Sequence, residues 1–196
     1  MFLLGLTGSI GMGKSTTAQL FVQEGCALWD ADAAVHRLYS TGGAAVAPVR
    51  DLFPDAIEEN AVSRARLKEI ILADPTALKK IEAIVHPLVG QDRAAFIAEA
   101  AEDIIVLDIP LIYETGGEGK VDAVACVIID ADTQKERVMA RRTMTLEQFE
   151  LIRSKQLPAD EKAARADYVI TTDTIDNARR QVQEVVRDIR EKQRHA

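Results

Sequence analysis

One stretch near the N-terminus constrains the fold more than any other. Gly8-Ser9-Ile10-Gly11-Met12-Gly13-Lys14-Ser15 meets G-x-x-x-x-G-K-[ST] at every fixed position. Before it, Phe2-Leu3-Leu4-Gly5-Leu6-Thr7 is a short apolar run, right for a buried parallel strand. After it, Thr16–Val22 reads as an amphipathic helix. A strand, a glycine loop and a helix in that order build a phosphate cradle. Glycine lets the backbone approach phosphate oxygens where a Cβ would intrude, and the loop N–H groups and helix N-terminus supply partial positive charge. Lys14 would reach the β- and γ-phosphates, and the Ser15 hydroxyl would ligate Mg²⁺. At ordinary residue usage the pattern arises by accident in on the order of one chain in a hundred, and the flanking elements lower that further.

The 196 residues suit one domain, 1–196, with room for an inserted lid. The net charge of −7 argues against non-specific nucleic-acid binding, and the 5% aromatic content against a base-stacking platform. An anionic substrate would then need a local basic patch. No apolar run reaches membrane-spanning length, and the N-terminal run reads as a core strand, not a signal peptide. Cys26 and Cys126 stand alone in apolar runs and read as buried thiols of a reducing cytoplasm. The three histidines are scattered, with no Cys/His metal spacing.

Helix one should end near Glu24-Gly25, glycine being a natural C-cap. Cys26–Trp29 reads as a second strand, followed at once by Asp30-Ala31-Asp32. Chemistry in open parallel sheets sits at the carboxyl ends of strands, so both carboxylates are candidates to face the crevice of the phosphate loop. Asp30 reads equally as the N-cap of a helix over Ala31–Tyr39, with Asp32 in its favourable first turn. Ser40–Asn60 carries loop signals and a short helix near Ala45–Leu52; Ser63–Leu72 and Pro75–Ala101 are helical, with Leu78, Ile81, Ile84, Val85 and Leu88 as the apolar face. His86-Pro87 should kink or break the second of these, and His86 beside such a break is a candidate to line a pocket.

Asp103–Pro110 reads as a third buried strand, with Asp108 following four apolar residues as in a Mg²⁺-holding Walker-B strand. Pro110–Glu114 leaves it toward the crevice, Thr115–Lys120 is a glycine-rich loop, and Val121–Ile129 is a fourth strand. The alternation of strands and helices predicts a parallel sheet of right-handed βαβ units. From Thr133 cations crowd a helical stretch: Lys135, Arg137, Arg141, Arg142, Arg153, Lys155, Lys162 and Arg165. Arg137 and Arg141 share a face, and Thr145 with Gln148 forms a capping-box signature. Beside a phosphate loop such a cluster suits a lid, about 133–166, that closes cations over transferring phosphates. Asp167–Ile170 is a fifth strand and Ile175–Arg194 a final helix, with Val182, Val185, Val186 and Ile189 facing the core.

A phosphate loop, an acidic pair after strand two and a basic helical lid describe a small-molecule kinase. The sequence resembles the dephospho-coenzyme A kinase family from Leu4 to about Asn177. The resemblance rests on Leu6–Thr16, Asp30-Ala31-Asp32, His86-Pro87-Leu88, Pro110–Glu114, Arg137 with Arg141, Gln156-Leu157-Pro158, Lys162 and Ala166-Asp167. It implies a P-loop kinase-like α/β fold: a parallel five-stranded sheet flanked by helices, an all-helical CoA-side subregion at about 33–101, and the lid. It implies transfer of the ATP γ-phosphoryl group to the ribose 3′-hydroxyl of dephospho-coenzyme A, with Mg²⁺, as a monomer or weak homo-oligomer. Gly11, Met12, Gly13, Lys14, Ser15 and Thr16 would bind the ATP phosphates. Asp32 would act as base or orienting group, Lys14 and Arg141 would neutralise the transferring phosphates, and Ser15 and Asp108 would hold the metal. Thr7, Asp32, His86, Leu111, Glu114 and Arg137 would contact substrate. The chain departs from the family pattern at Thr171-Thr172, where relatives carry Asp-Asn near the adenine; at Ile152, where an arginine is common; and at Tyr113, usually apolar. The rival readings are another P-loop kinase acting on a nucleotide or small alcohol, and a nucleotide switch. A GTPase switch would need an N-K-x-D motif, which is absent.

Overall fold

The computed structural model describes residues 1–195; Ala196, the last residue of the expected domain, lies outside them. The strands are β1 (Phe2–Thr7), β2 (Ala27–Asp30), β3 (Ile57–Glu58), β4 (Ala61–Val62), β5 (Ile104–Asp108), β6 (Ala123–Ile128) and β7 (Tyr168–Thr171). The helices are α1 (Lys14–Gln23), α2 (Ala31–Tyr39), α3 (Val46–Leu52), α4 (Arg64–Ala73), α5 (Thr76–Glu99), α6 (Ala131–Ala140), α7 (Leu146–Lys155), α8 (Ala159–Arg165) and α9 (Ile175–His195). Five strands form one sheet in the order β2-β5-β1-β6-β7. β1 pairs in parallel with β5, Phe2 opposite Ile104 through Leu6 opposite Asp108, and on its other side with β6; β6 pairs in parallel with β7. The chain fills the β2–β5 side of β1 first and then crosses to β6 and β7. The carboxyl end of β1 is therefore the point where the winding reverses, the place where open α/β sheets bind ligands.

The central strands are apolar along their length because both faces are covered. On one face Leu4, Leu6, Ile104, Val106, Ala125 and Val127 pack with Phe21 of α1 and with Val182, Val186 and Ile189 of α9. On the other, Ile112, Tyr113 and Val124 form a smaller cluster with Leu157 and Ala166. The expected core face of the last helix is borne out, and both cysteines are buried free thiols. Burial pushes each thiol up to about 11, which keeps it protonated and unreactive.

The chain divides into two compact units, Met1–Leu28 with everything from Ala101 onward, and Trp29–Ala100. The second has its own core of Leu38, Val46, Val49, Leu67, Ile81 and Val85. Inside it the Trp29 indole donates to Asp92 Oδ1 at 2.8 Å, and Arg37 pairs with the same carboxylate. Several expectations are corrected here. β2 runs one residue later than Cys26–Trp29. The second unit is not all-helical: β3 and β4 pair antiparallel through Glu59 and Asn60, both at positive φ (49° and 61°). Those dihedrals define a type I′ turn, which glycine usually announces and this sequence does not. α5 runs unbroken through Pro87, because Ile81 and Val85 on one side and Leu88 and Val89 on the other pack into the same core. Its buried stripe is Ala77, Ile81 and Val85, and Leu78 is exposed.

β7 ends the sheet, and its outer edge is closed by a side chain. The Thr171 N–H donates to Gln181 Oε1 at 3.0 Å, and Gln181 Nε2 donates to the Thr171 carbonyl at 2.9 Å. The primary amide of Gln181 takes the place of a further strand, one way of keeping an edge from pairing with another chain. Replacing Gln181 by Leu leaves both backbone groups without that partner. It should lower stability by about 1–3 kcal/mol in urea denaturation and speed hydrogen exchange at the Thr171 amide.

Candidate active site

The loop between β1 and α1 is bent by two glycines in the left-handed region, Gly11 (φ 79°) and Gly13 (φ 83°). A Cβ on Gly11 would lie 2.5 Å from Val138 Cγ2, and one on Gly13 would crowd Thr172 at 3.1 Å. Gly13 is also the N-cap of α1, so no side chain caps that helix. By contrast α2, α6 and α7 have their first-turn N–H groups taken by Asp30, Asp130 and Thr145. α3, α5 and α8 also lack a side-chain cap, but α1 alone of these follows the glycine loop, whose bend leaves its first N–H groups open to an anion. Lys14 begins the helix and its ammonium bonds the carboxylate of Asp108, which ends the neighbouring strand β5 and is only 2% exposed. Ser15 and Thr16 are exposed in the first turn.

The loop backbone is held from outside by three side chains remote in sequence. Gln134 of α6 donates to the Ile10 carbonyl at 2.7 Å, and the Ile10 N–H donates to Gln156 Oε1 at 3.3 Å. The Thr172 hydroxyl donates to the Met12 carbonyl at 2.8 Å and accepts from Arg137 Nη1 at 3.2 Å. Arg137 also donates to the Thr172 carbonyl at 2.7 Å. The Thr172 hydroxyl is therefore engaged with the phosphate loop and with Arg137. Sequence reasoning had not singled out Gln134. Its one signal is that it lies four residues before buried Val138, a polar residue on the inner face of a helix.

Thr7, at the end of β1, donates to the Pro110 carbonyl at 2.9 Å. Lys162 was expected among the lid cations but is 0% exposed, paired with Glu114 at 2.8 Å and donating to the Pro110 carbonyl at 3.1 Å. Glu114 also accepts from the Leu157 N–H at 2.9 Å. Burial raises the Glu114 carboxyl, but Lys162 and the N–H donors outweigh it and hold the carboxyl below the ordinary range. Leu111 is exposed between these anchors. Tyr113 takes an apolar role: it is buried under the Arg165 guanidinium at 4.2 Å, and its phenol has no hydrogen-bond partner among the described residues.

Of the expected lid arginines, Arg153 pairs with Glu150 and lies over Phe149, and Arg165 pairs with Glu118. Arg141, the C-cap of α6, is exposed and makes no ion pair among the described residues. Thr145 and Gln148 form both bonds of the expected capping box. In the second unit Asp30 caps α2, accepting from the Ala33 N–H at 2.8 Å; Asp32 is exposed in its first turn, and His86 is exposed on α5.

A glycine loop at the winding reversal of a parallel sheet, feeding an uncapped helix that begins with lysine, defines a P-loop kinase fold. The family model for dephospho-CoA kinase matches residues 2–177. The chain belongs to the dephospho-CoA kinase family. It is 69% identical over 195 residues to the dephospho-CoA kinase of Ruegeria pomeroyi, covering 100% of this chain and 99% of that one. It is similar to a solved Thermus thermophilus protein, at a TM-score of 0.85 and 30% identity, over 94% of this chain and 95% of that one. The dephospho-CoA kinase of Campylobacter jejuni shares the fold at a TM-score of 0.72 and 22% identity, over 97% and 98%.

Removing the Thr172 hydroxyl while keeping its shape, as Thr172→Val, loosens the Met12 carbonyl and takes away one of the Arg137 bonds, those to the Thr172 and Asp173 carbonyls staying. ATP should bind about 3- to 10-fold more weakly by calorimetry, the worth of one neutral hydrogen bond, and Thr172→Ser should restore it.

Proposed function

We propose that the chain transfers the γ-phosphoryl group of ATP to the ribose 3′-hydroxyl of dephospho-coenzyme A, giving coenzyme A and ADP, the final step of coenzyme A synthesis. Family membership supports the reaction. The observation on the molecule that carries it is the uncapped N-terminus of α1 behind Gly11 and Gly13, with the Lys14 ammonium at its start. Phosphoryl transfer passes through a loose transition state, so positioning and charge neutralisation supply most of the acceleration. Gly11 to Thr16 would bind the ATP phosphates, with Lys14 on the β- and γ-oxygens. Arg141 is the arginine we assign to the transferring phosphoryl group, because it is exposed and unengaged while Arg137 holds Thr172. Asp32 would accept the proton of the ribose hydroxyl or orient it, a role suited to an exposed carboxylate just past a sheet strand. Thr7, His86, Leu111 and Glu114 belong to the acceptor side on this reading, Glu114 acting through its pairing with Lys162.

Mg²⁺ is part of the same proposal. The Ser15 hydroxyl and the Asp108 carboxylate are hard oxygen donors of the kind it takes, and no group of three or more His, Cys, Asp or Glu that could cage a metal occurs among the described residues. That fits an ion held by one or two protein oxygens together with phosphate and water. When bound it would neutralise charge on the β- and γ-phosphates. Cytoplasmic placement is proposed from the free, buried thiols of Cys26 and Cys126. No helix among the described residues is long and apolar enough to cross a membrane.

A coupled ADP-release assay tests the reading. Dephospho-coenzyme A should be turned over, while nucleoside monophosphates and shikimate should not. Lys14→Ala and Asp32→Asn should each lower kcat about 100-fold or more with the far-UV circular dichroism unchanged. Near-wild-type turnover in Asp32→Asn would remove Asp32 from the mechanism.

A further inference from the structure

We propose that Lys162 is a positioning residue for the acceptor side of the reaction, acting through Glu114 and the Pro110 carbonyl and never touching a phosphate. The proposal rests on the dephospho-CoA kinase reading. A fully buried lysine is rare and needs partners for its charge. The Lys162 ammonium finds them on one short arc of chain, Glu114 at 2.8 Å and the Pro110 carbonyl at 3.1 Å. Each partner is shared. The Pro110 carbonyl also accepts from Thr7, at the end of β1, and Glu114 also accepts from the N–H of Leu157, between α7 and α8. One ammonium thus ties α8 to both ends of the arc, whose middle is pinned by buried Ile112 and Tyr113 and whose exposed apolar residue is Leu111.

The phosphate loop has two holds outside this tie, Gln134 on the Ile10 carbonyl and Thr172 on the Met12 carbonyl. A third, Gln156 on the Ile10 N–H, neighbours Leu157 and is the one that shares a stretch of chain with the tie. Apart from the turn that follows it, Thr115 to Gly117, the hydrogen bonds and ion pairs that reach the Pro110–Glu114 arc among the described residues come from Thr7, Leu157 and Lys162, with Arg165 lying over Tyr113. Loss of the ion pair should therefore be felt most where the acceptor binds, while Gln134 and Thr172 keep the phosphate loop in place for ATP.

A double-mutant cycle on the full chain separates this from a phosphate-binding role and from a purely structural one. Lys162→Met, Glu114→Gln and the pair together are assayed for KM toward each substrate and for thermal unfolding. The double variant replaces the buried charge pair by neutral groups of similar size, so it carries the test where a single variant does not fold. Each folded variant should show KM for dephospho-coenzyme A raised about 10-fold and KM for ATP within about 2-fold, the double no worse than either single. Wild-type KM in the double variant overturns the proposal. So do multiplying single effects, a fall in kcat from Lys162→Met that Glu114→Gln does not share, and a double variant that fails to fold. Failure of the wild-type chain to phosphorylate dephospho-coenzyme A would instead sink the reaction assignment on which the proposal stands.

Discussion

A loop whose purpose is to aim N–H groups at an anion cannot satisfy its own backbone, because the groups aimed inward leave the outward ones without partners. Buried backbone groups in that state are costly, so something must hold the loop from behind. Here the Ile10 carbonyl takes Gln134, the Ile10 N–H gives to Gln156, and the Met12 carbonyl takes Thr172. Those three side chains come from α6, the α7–α8 junction and the segment after β7. The geometry of the phosphate cradle is therefore a property of the first unit as a whole. It also gives a physical route by which the α6–α7 segment bears on the loop: Gln134 near its start and Gln156 just after its end both reach Ile10.

The same economy governs charge. A chain of net charge −7 that handles polyphosphates must put cations where they act and neutralise those that are elsewhere. Arg153, Arg165 and Lys162 each have a carboxylate partner, and Arg137 is committed to Thr172 and Asp173. Exposed pairs such as Arg153–Glu150 contribute little to stability, but they remove competing cations from the segment. Lys14 on Asp108 is a different case. Asp108 is almost fully buried, so the ammonium is held near the strand end by a charge that a solvated carboxylate could not match.

What could be read from the sequence was what neighbours along the chain decide. The glycine loop, the caps at Asp30 and Thr145–Gln148 and the apolar stripe of α9 each follow from residues within a turn or two of one another. The roles of Gln134, Gln156, Thr172 and Lys162 did not, because each is set by a partner far away in the chain: Gln134 with Ile10, Thr172 with Met12, Lys162 with Pro110. Composition pointed the wrong way for Lys162. Lysine in a basic stretch suggests a solvated cation, whereas Lys162 is fully buried on Glu114 and the Pro110 carbonyl. Pro87 misled for the opposite reason, since a local rule that favours a break was overridden by core packing on both sides of it.

Lys162 and Thr172 together suggest how a family fold tolerates change at its site. At the end of β7 this chain has Thr171-Thr172, and the Thr172 side chain is engaged with the loop and with Arg137. The Pro110–Glu114 arc has no comparable slack. Its arc is anchored by an ion pair whose members each need the other, so a change at Glu114 without one at Lys162 leaves a buried charge uncompensated. A hydrogen bond such as that of Thr172 can be given up alone, whereas the Glu114–Lys162 pair can change only in concert.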